Sequence, residues 1–186
     1  MELTYDELDM AQNFYGYGCW MAPYWFIGPE QAMGRDKEKK PDEQEKARRV
    51  KTWRDLSCLD LDNYGLVDCL RFHCDIKAPQ WHRERPKPAL QPTWGKLLLT
   101  LLAFREEQTG LEDRRRYQRD KWGRIDGKTC VIELSGLPFP SLKDDGPRYN
   151  YREEGIRFIQ SKMHKAMFVI MYGVIAVQNS LIALTA

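Results

Sequence analysis

The chain has 186 residues, 42% of them hydrophobic and 30% charged, a composition that belongs to globular proteins and excludes an intrinsically disordered one. That length buries one substantial core and leaves no room for two ordinary domains joined by a linker, so a single domain is expected over 1–186. The net charge of +2 conceals a segregation, because all 29 Lys and Arg fall between Arg35 and Lys165, which gives the middle of the chain a basic excess.

Thr4 and Glu7 form a Thr-x-x-Glu capping pattern, and a short helix is expected over 4–14. Tyr15-Gly16-Tyr17-Gly18 then breaks it. Tyr24-Trp25-Phe26-Ile27 lies between Pro23 and Gly28-Pro29, an aromatic and β-branched run bounded by breakers, which predicts a buried strand. A polar loop over 33–41 leads to Ala47, Val50, Trp53 and Leu56 at helical spacing. Leu66, Leu70 and Phe72 suggest another short helix, and Pro79, Pro86, Pro88 and Pro92 turn the stretch that follows into a long basic loop.

Leu97, Leu98, Leu101 and Leu102 fit a helix over 93–104 packed on a sheet, whereas 111–122 is far more charged and is expected to be exposed. A second strand is expected over 129–134, a turn at 145–149, an amphipathic helix over 151–165 through Ile156 and Ile159, and a third strand over 167–172. Strands separated by helical stretches imply parallel pairing with crossover helices, and ligands in such α/β sheets gather beyond the carboxyl ends of the strands. That rule selects 28–34, 135–141 and the residues from Gly173 onward.

In the first of these segments, Glu30 follows a turn-forming Gly28-Pro29 pair and can orient a water, or it is a solvated loop acid. In the second, Pro138 and Pro140 stiffen the chain around Phe139 and Ser141, which suits pressing on a nucleic-acid backbone as well as ending a strand.

Several of these stretches together resemble the uracil-DNA glycosylase-like superfamily, and more closely its poorly characterised bacterial members. The similarity is carried by 22–30 (APYWFIGPE), Trp53-Arg54, Val131-Ile132-Glu133-Leu134 with Pro138 and Ser141, and Phe168-Val169-Ile170-Met171-Tyr172-Gly173. It extends over most of the chain from Tyr15 to Gly173. The resemblance implies a three-layer α/β/α sandwich around a small, mainly parallel sheet, with a base-binding pocket at the strand ends. It also implies single- or double-stranded DNA as partner, no cofactor, and hydrolysis of the N-glycosidic bond of uracil or a related deaminated base after the nucleotide is flipped from the stack.

On that resemblance Glu30 positions or activates water, Gly28 and Gln31 lie beside the substrate in the same motif, and Pro138 and Ser141 contact the strand backbone. Two departures stand out. The familiar first motifs read Gly-Glu-x-Pro-Gly or Gly-Gln-Asp-Pro-Tyr-His, whereas here Pro29 intervenes and Gln31-Ala32 replaces Pro-Gly. The superfamily's late His-Pro-Ser type motif has no counterpart in 174–186, which hold neither His nor Pro. The alternative is therefore a noncatalytic nucleic-acid-binding or protein-interaction module on the same fold.

Within the basic loop, Trp81 and Arg83 combine a stacking surface with a phosphate-binding cation, although Glu84 and the prolines equally suit a solvated loop. Tyr17 or Trp20 could reach a pocket mouth, against the plainer reading that the aromatic residues around them are core. Gly127-Lys128-Thr129 has the wrong spacing and context for a phosphate loop and reads as a turn. Cys69, His73 and Cys74 lack a paired Cys-x-x-Cys, which favours a buried thiol over a metal site. Five cysteines without a leading apolar segment suit free thiols in the cytoplasm. The uncharged stretch 166–186 is long enough for a bilayer, but Gly173 and Gln178-Asn179-Ser180 divide it, and a strand followed by an apolar segment is preferred to an anchor.

Overall fold

The computed structural model describes residues 13–32, 51–52, 55, 64–75, 81, 89–139 and 153–172, with 29–32, 75, 135–139 and 153–154 described by backbone alone. The strands are β1 (Gly16–Tyr17), β2 (Tyr24–Ala32), β3 (Leu66–Val67), β4 (Thr129–Phe139) and β5 (Phe168–Met171). Between them lie helices α1 (Cys69–Asp75), α2 (Pro92–Phe104), α3 (Leu111–Asp120) and α4 (Glu153–Met163). The five strands form one sheet in the order β3-β1-β4-β2-β5. Strand β2 runs parallel to both β4 and β5, whereas β1 pairs antiparallel with β4 and parallel with β3, so the sheet is mixed and the chain is α/β.

Trp25, Phe26 and Ile27 are all buried, and so are Cys130, Val131 and Ile132 beside them. Continuous burial without alternation marks strands covered on both faces. Successive side chains point to opposite sides, and the core divides accordingly. Phe26, Val131 and Ile170 pack with Cys69 and Phe72 of α1, Trp94, Leu98 and Leu101 of α2 and Tyr117 of α3. Trp25, Ile27, Cys130 and Ile132 pack with Ile159, Ile156 and Phe158 of α4. The fully buried Leu98 and Leu101 each contribute about 2 kcal/mol of transfer free energy.

Helix α2 starts where Gln91 accepts the Trp94 N–H through its side chain at 2.6 Å, with Pro92 at the first position, where an N–H has no helical partner. In α3, Glu112 and Asp113 occupy the positive end of the helix dipole and pair with Arg115 and Arg116 one turn on.

The expected strands at 24, 129 and 167 are present, and so are the helices at 93 and 151 within a residue or two of their expected bounds; the charged stretch from 111 is helical as well, and Tyr117, Gln118 and Trp122 in it are buried where exposure was expected. Three expectations are corrected. The stretch 66–72 is not one helix: Leu66 and Val67 form β3, and Asp68 caps α1 by accepting the Arg71 N–H at 3.0 Å. Residues 15–18 are not merely a break, because Gly16-Tyr17 is a strand. A Cβ on Gly16 would collide with the Val131 carbonyl, and its φ of 132° is a conformation that other residues rarely adopt.

The third correction concerns the segments read as loops leaving the first two long strands. Strand β2 continues to Ala32 and β4 to Phe139, so much of 28–34 and 135–141 is extended ladder. Strand β5 pairs with β2 only as far as Ile27, where the Tyr172 N–H reaches the Ile27 carbonyl at 2.9 Å. From Gly28 onward β2 has a single strand neighbour among the described residues, and there a proline can be accommodated. The expected helices over 4–14 and after Asp42, the turn at 145–149 and the segment from Gly173 lie outside the described residues, save Asn13 and Phe14, which are not helical, and Lys51, Thr52 and Asp55, which are. No described helix is long and apolar enough to cross a membrane.

Candidate functional site at the carboxyl ends of the parallel strands

The parallel register of β2 and β4 sets Gly28 opposite Glu133 and Glu30 opposite Ser135, then shifts so that Ala32 meets Phe139. Two segments more than a hundred residues apart in sequence thereby become neighbours just past the carboxyl end of β5. Glu30 and Gln31 lie within β2 and Pro138 within β4, whereas Ser141 and Arg83 lie outside the described residues.

On the α1–α2 side of this edge stands a buried polar group. Glu133 is 6% exposed and points to the same side as Val131, because Ile132 and Leu134 belong to the opposite core. Beside it Gly28 leaves its backbone open, and the ring of Tyr172 fills the vacancy: a Cβ on Gly28 would fall on the ring's Cζ, Cε2 and hydroxyl. The residue Tyr172 keeps partial exposure, but burial of its hydroxyl, with the charge of Glu133 adding to it, holds its pKa far above the usual phenol range.

Across the same side, α1 presents Cys69 and His73. Both are buried, with the sulfur 3.5 Å from His73 Nδ1 and the Cys69 carbonyl 2.7 Å from the same nitrogen. A carbonyl only accepts, so Nδ1 carries the hydrogen and donates it there, which leaves no base at that nitrogen to draw the proton from sulfur. Burial raises the Cys69 thiol well above its ordinary pKa, the nearby Asp68 and Glu133 push it further, and Arg124 partly opposes them. The thiol is a protonated core group, not a nucleophile. The His73 ring sits among Tyr17, Phe72 and Trp94. Among the described residues no three His, Cys, Asp or Glu side chains gather as metal ligands.

Tyr17 is fully enclosed, edge-on to Phe14 and tilted against Phe72. Its ring therefore serves the core and does not stand at a pocket mouth; Trp20, equally buried, donates its indole N–H to the Tyr64 carbonyl at 2.9 Å. Trp81 packs partly buried against the first core cluster. Its carbonyl is held by the fully buried Gln118 amide at 2.9 Å, and the same amide nitrogen donates to Ala89 at 2.8 Å, while its oxygen accepts the Gln91 N–H at 2.9 Å. The two ends of the stretch 82–88 are thus pinned at one side chain. Gly127 closes a turn onto the Arg124 carbonyl.

Sequence reasoning missed Glu133 and Gln118. Glu133 carried a usable signal, a single charge inside the apolar run Val131-Ile132-Glu133-Leu134, since a charge is rarely buried unless it is paired. Gln118 carried none, because it sits in a helix of charges and is buried only through partners from a distant loop. No family model, no curated protein and no solved structure matches the chain.

Proposed function

We propose that this chain is a DNA glycosylase of the uracil-DNA glycosylase-like type, a three-layer α/β/α sandwich with a mainly parallel sheet, hydrolysing the N-glycosidic bond of uracil or a related deaminated base. The observation that carries the reading is the register that lays Gly28-Pro29-Glu30 of β2 alongside Glu133-Leu134-Ser135 of β4, just past the carboxyl end of β5. The first is the segment to which the resemblance assigns water activation, the second leads toward Pro138 and Ser141, to which it assigns strand contact, and the carboxyl end of β5 lies beside them, the kind of place where α/β sheets bind ligands. The layer arrangement is supported by the two core clusters, one built with α1, α2 and α3 and the other with α4.

In this mechanism Glu30 orients a water whose oxygen bonds to the sugar C1′ as the bond to the base nitrogen breaks. The electron pair of that bond leaves with the base, which is then protonated. Positive charge develops on the sugar and negative charge on the base, and a carboxylate near C1′ stabilises the first. The test is release of free base from single- and double-stranded oligonucleotides containing uracil or other deaminated bases. Release that Glu30→Ala reduces by at least about a hundredfold supports the reading, in line with a positioned acid or base. No release on any substrate overturns it.

One observation favours a second reading, a noncatalytic nucleic-acid-binding or protein-interaction module. The Tyr172 ring lies on Gly28 at the strand ends, where a base would have to enter. That module binds oligonucleotides in a salt-sensitive way, or a protein partner, without turnover.

A further inference from the structure

We propose that the outer edge of β5 is a homodimer interface, at which two copies of this chain pair their β5 strands antiparallel about Ile170 and join their sheets into one. This stands apart from the glycosylase reading. Strand β5 ends the sheet order, with β2 on one side and no strand beyond it among the described residues. Its pairing with β2 fixes which backbone groups look outward. The N–H groups of Phe168 and Tyr172 reach inward, to the carbonyls of Pro23 and Ile27 at 3.1 and 2.9 Å, and in a parallel ladder alternate residues bond to the same neighbour. Val169 and Met171 therefore turn their N–H and C=O groups to the outer edge. Natural sheets blunt such an edge with Lys, Pro or a bulge, whereas Ala166 to Tyr172 holds neither a charge nor a proline, and β5 pairs with β2 without a register shift.

The hydrogen-bonding pattern selects both the partner and the register. Residues directly opposite in an antiparallel pair exchange two hydrogen bonds or none, so outward groups need outward groups at matching spacing. A second β5 offers them. With Ile170 opposite Ile170 of the second copy, Val169 of each meets Met171 of the other, and the outward groups of both strands are all paired. Centring on Val169 instead would set Met171 against Met167, whose N–H is already given inward to Pro23 at 2.9 Å. The register about Ile170 also keeps the faces, with Phe168 and Ile170 on the α2 side and Val169 and Met171 on the α4 side of both copies. Apolar surface borders the edge: Phe104, 56% exposed, stacks on Phe168 with ring centroids 4.5 Å apart, and Met167 is 81% exposed. With the half-buried strand residues this gives about 500 Å² a copy, in the range of weak but specific interfaces. Charge does not oppose the pairing. Arg105, beside Phe104, is paired with Glu107, and the Lys165 residues of the two copies lie about 30 Å apart along the strands.

The experiment is sedimentation equilibrium of the full chain over a range of concentrations, for the wild type, Val169→Pro and Val169→Lys, with circular dichroism to establish that each variant is folded. The wild type is expected to be dimeric at micromolar concentration. Val169→Pro removes an outward N–H that a single copy does not use, so the fold should survive while dimerisation weakens by at least about tenfold. Val169→Lys places on the edge the residue with which natural edges refuse pairing, and a comparable weakening is expected. Ile170→Cys tests the register. Opposite residues of a non-hydrogen-bonded pair have Cα atoms about 4.5 Å apart, within disulfide reach, so incubation with oxidised glutathione is expected to link Ile170→Cys into a dimer that the wild type does not form. Val169→Cys, two positions out of step with its copy, is expected to stay unlinked. A wild type that is monomeric at every concentration overturns the proposal, whatever else covers the edge. So does a dimer that neither folded Val169 variant weakens, or one that Val169→Cys links as readily as Ile170→Cys. If neither Val169→Pro nor Val169→Lys folds, the two cysteine variants decide the matter.

Discussion

Tyr172 lies so close over Gly28 that a single added methyl group would occupy the position of its ring. The contact joins β2 to the chain just past β5, next to the buried Glu133. Gly28→Ala is therefore expected to destabilise the fold by about 2 kcal/mol, the scale of overpacking a filled site. In a Tyr172→Ala background the same substitution should cost less than about 0.5 kcal/mol, because the obstructing ring is gone. Urea unfolding of the two single variants and the double variant measures the coupling. Additive costs would mean that Gly28 is required for its backbone and not for the space it leaves.

The legibility of this edge was uneven, for physical reasons. Tyr24-Trp25-Phe26-Ile27 and Val131-Ile132 announce strands because each is an apolar, β-rich run. Their extensions to Ala32 and Phe139 were hidden behind Gly28, Pro29, Gly136 and Pro138, which are local breakers, whereas the pairing that carries them on is made between distant segments. Strands β1 and β3 have two residues each, too few for any period, and β1 depends on Gly16 approaching the Val131 carbonyl. Glu30 was legible as a polar residue at a strand end, but its place opposite Ser135 was not, because register is a tertiary property.

Asp68 performs two tasks at the start of α1. One carboxylate oxygen accepts the Arg71 N–H at 3.0 Å, and the other accepts from Arg124 at 2.7 Å, bridging the helix to the turn before β4. Asp68→Asn keeps an oxygen for the cap and loses the ion pair, at an expected cost of about 1 kcal/mol for a partly exposed pair. Asp68→Ala also loses the cap, for a further 1 kcal/mol or so. A double-mutant cycle with Arg124→Gln separates the two, since Asp68→Asn should cost almost nothing once Arg124 is gone. An undiminished cost in that background would assign the whole effect to the helix cap.

Gln118 satisfies three backbone groups from a buried position, and one of them belongs to Gln91, which itself caps α2. Gln118→Leu leaves the Gln91 N–H without its acceptor and two carbonyls without their donor, with an expected cost of about 2–4 kcal/mol. The loss should reach α2, so amide exchange at Trp94 is expected to accelerate beyond what global destabilisation explains. Gln118→Glu keeps the acceptor but sets a carboxylate against two carbonyl oxygens, and at neutral pH it should destabilise at least as much. Its stability should partly recover on acidification, as the protonated acid regains a donor. A Gln118→Glu protein as stable as the wild type at pH 7 would contradict these assigned contacts.

Alkaline pH tests the buried thiols. Burial raises the pKa of Cys69 and of Cys130 well above the ordinary thiol value, with the charges of Asp68 and Glu133 adding at the first and Cys19 at the second. Both groups therefore keep their protons in the folded state after the unfolded chain has lost them. Above the unfolded thiol pKa the folded state binds more protons, so stability is unaffected below about pH 8 and falls as pH rises beyond about 8.5. The limiting slope is about 1.4 kcal/mol per pH unit for each thiol, or nearly 3 for the pair. Tyr117 and Tyr172, also raised by burial, steepen the decline above about pH 10, where a free phenol ionises. Urea unfolding of the wild type, Cys69→Ala and Cys130→Ala at intervals from pH 7 to 9.5 should show each substitution removing about half of the slope while lowering stability at pH 7. Equal slopes in all three proteins would mean that the thiols are exposed to solvent in the folded state.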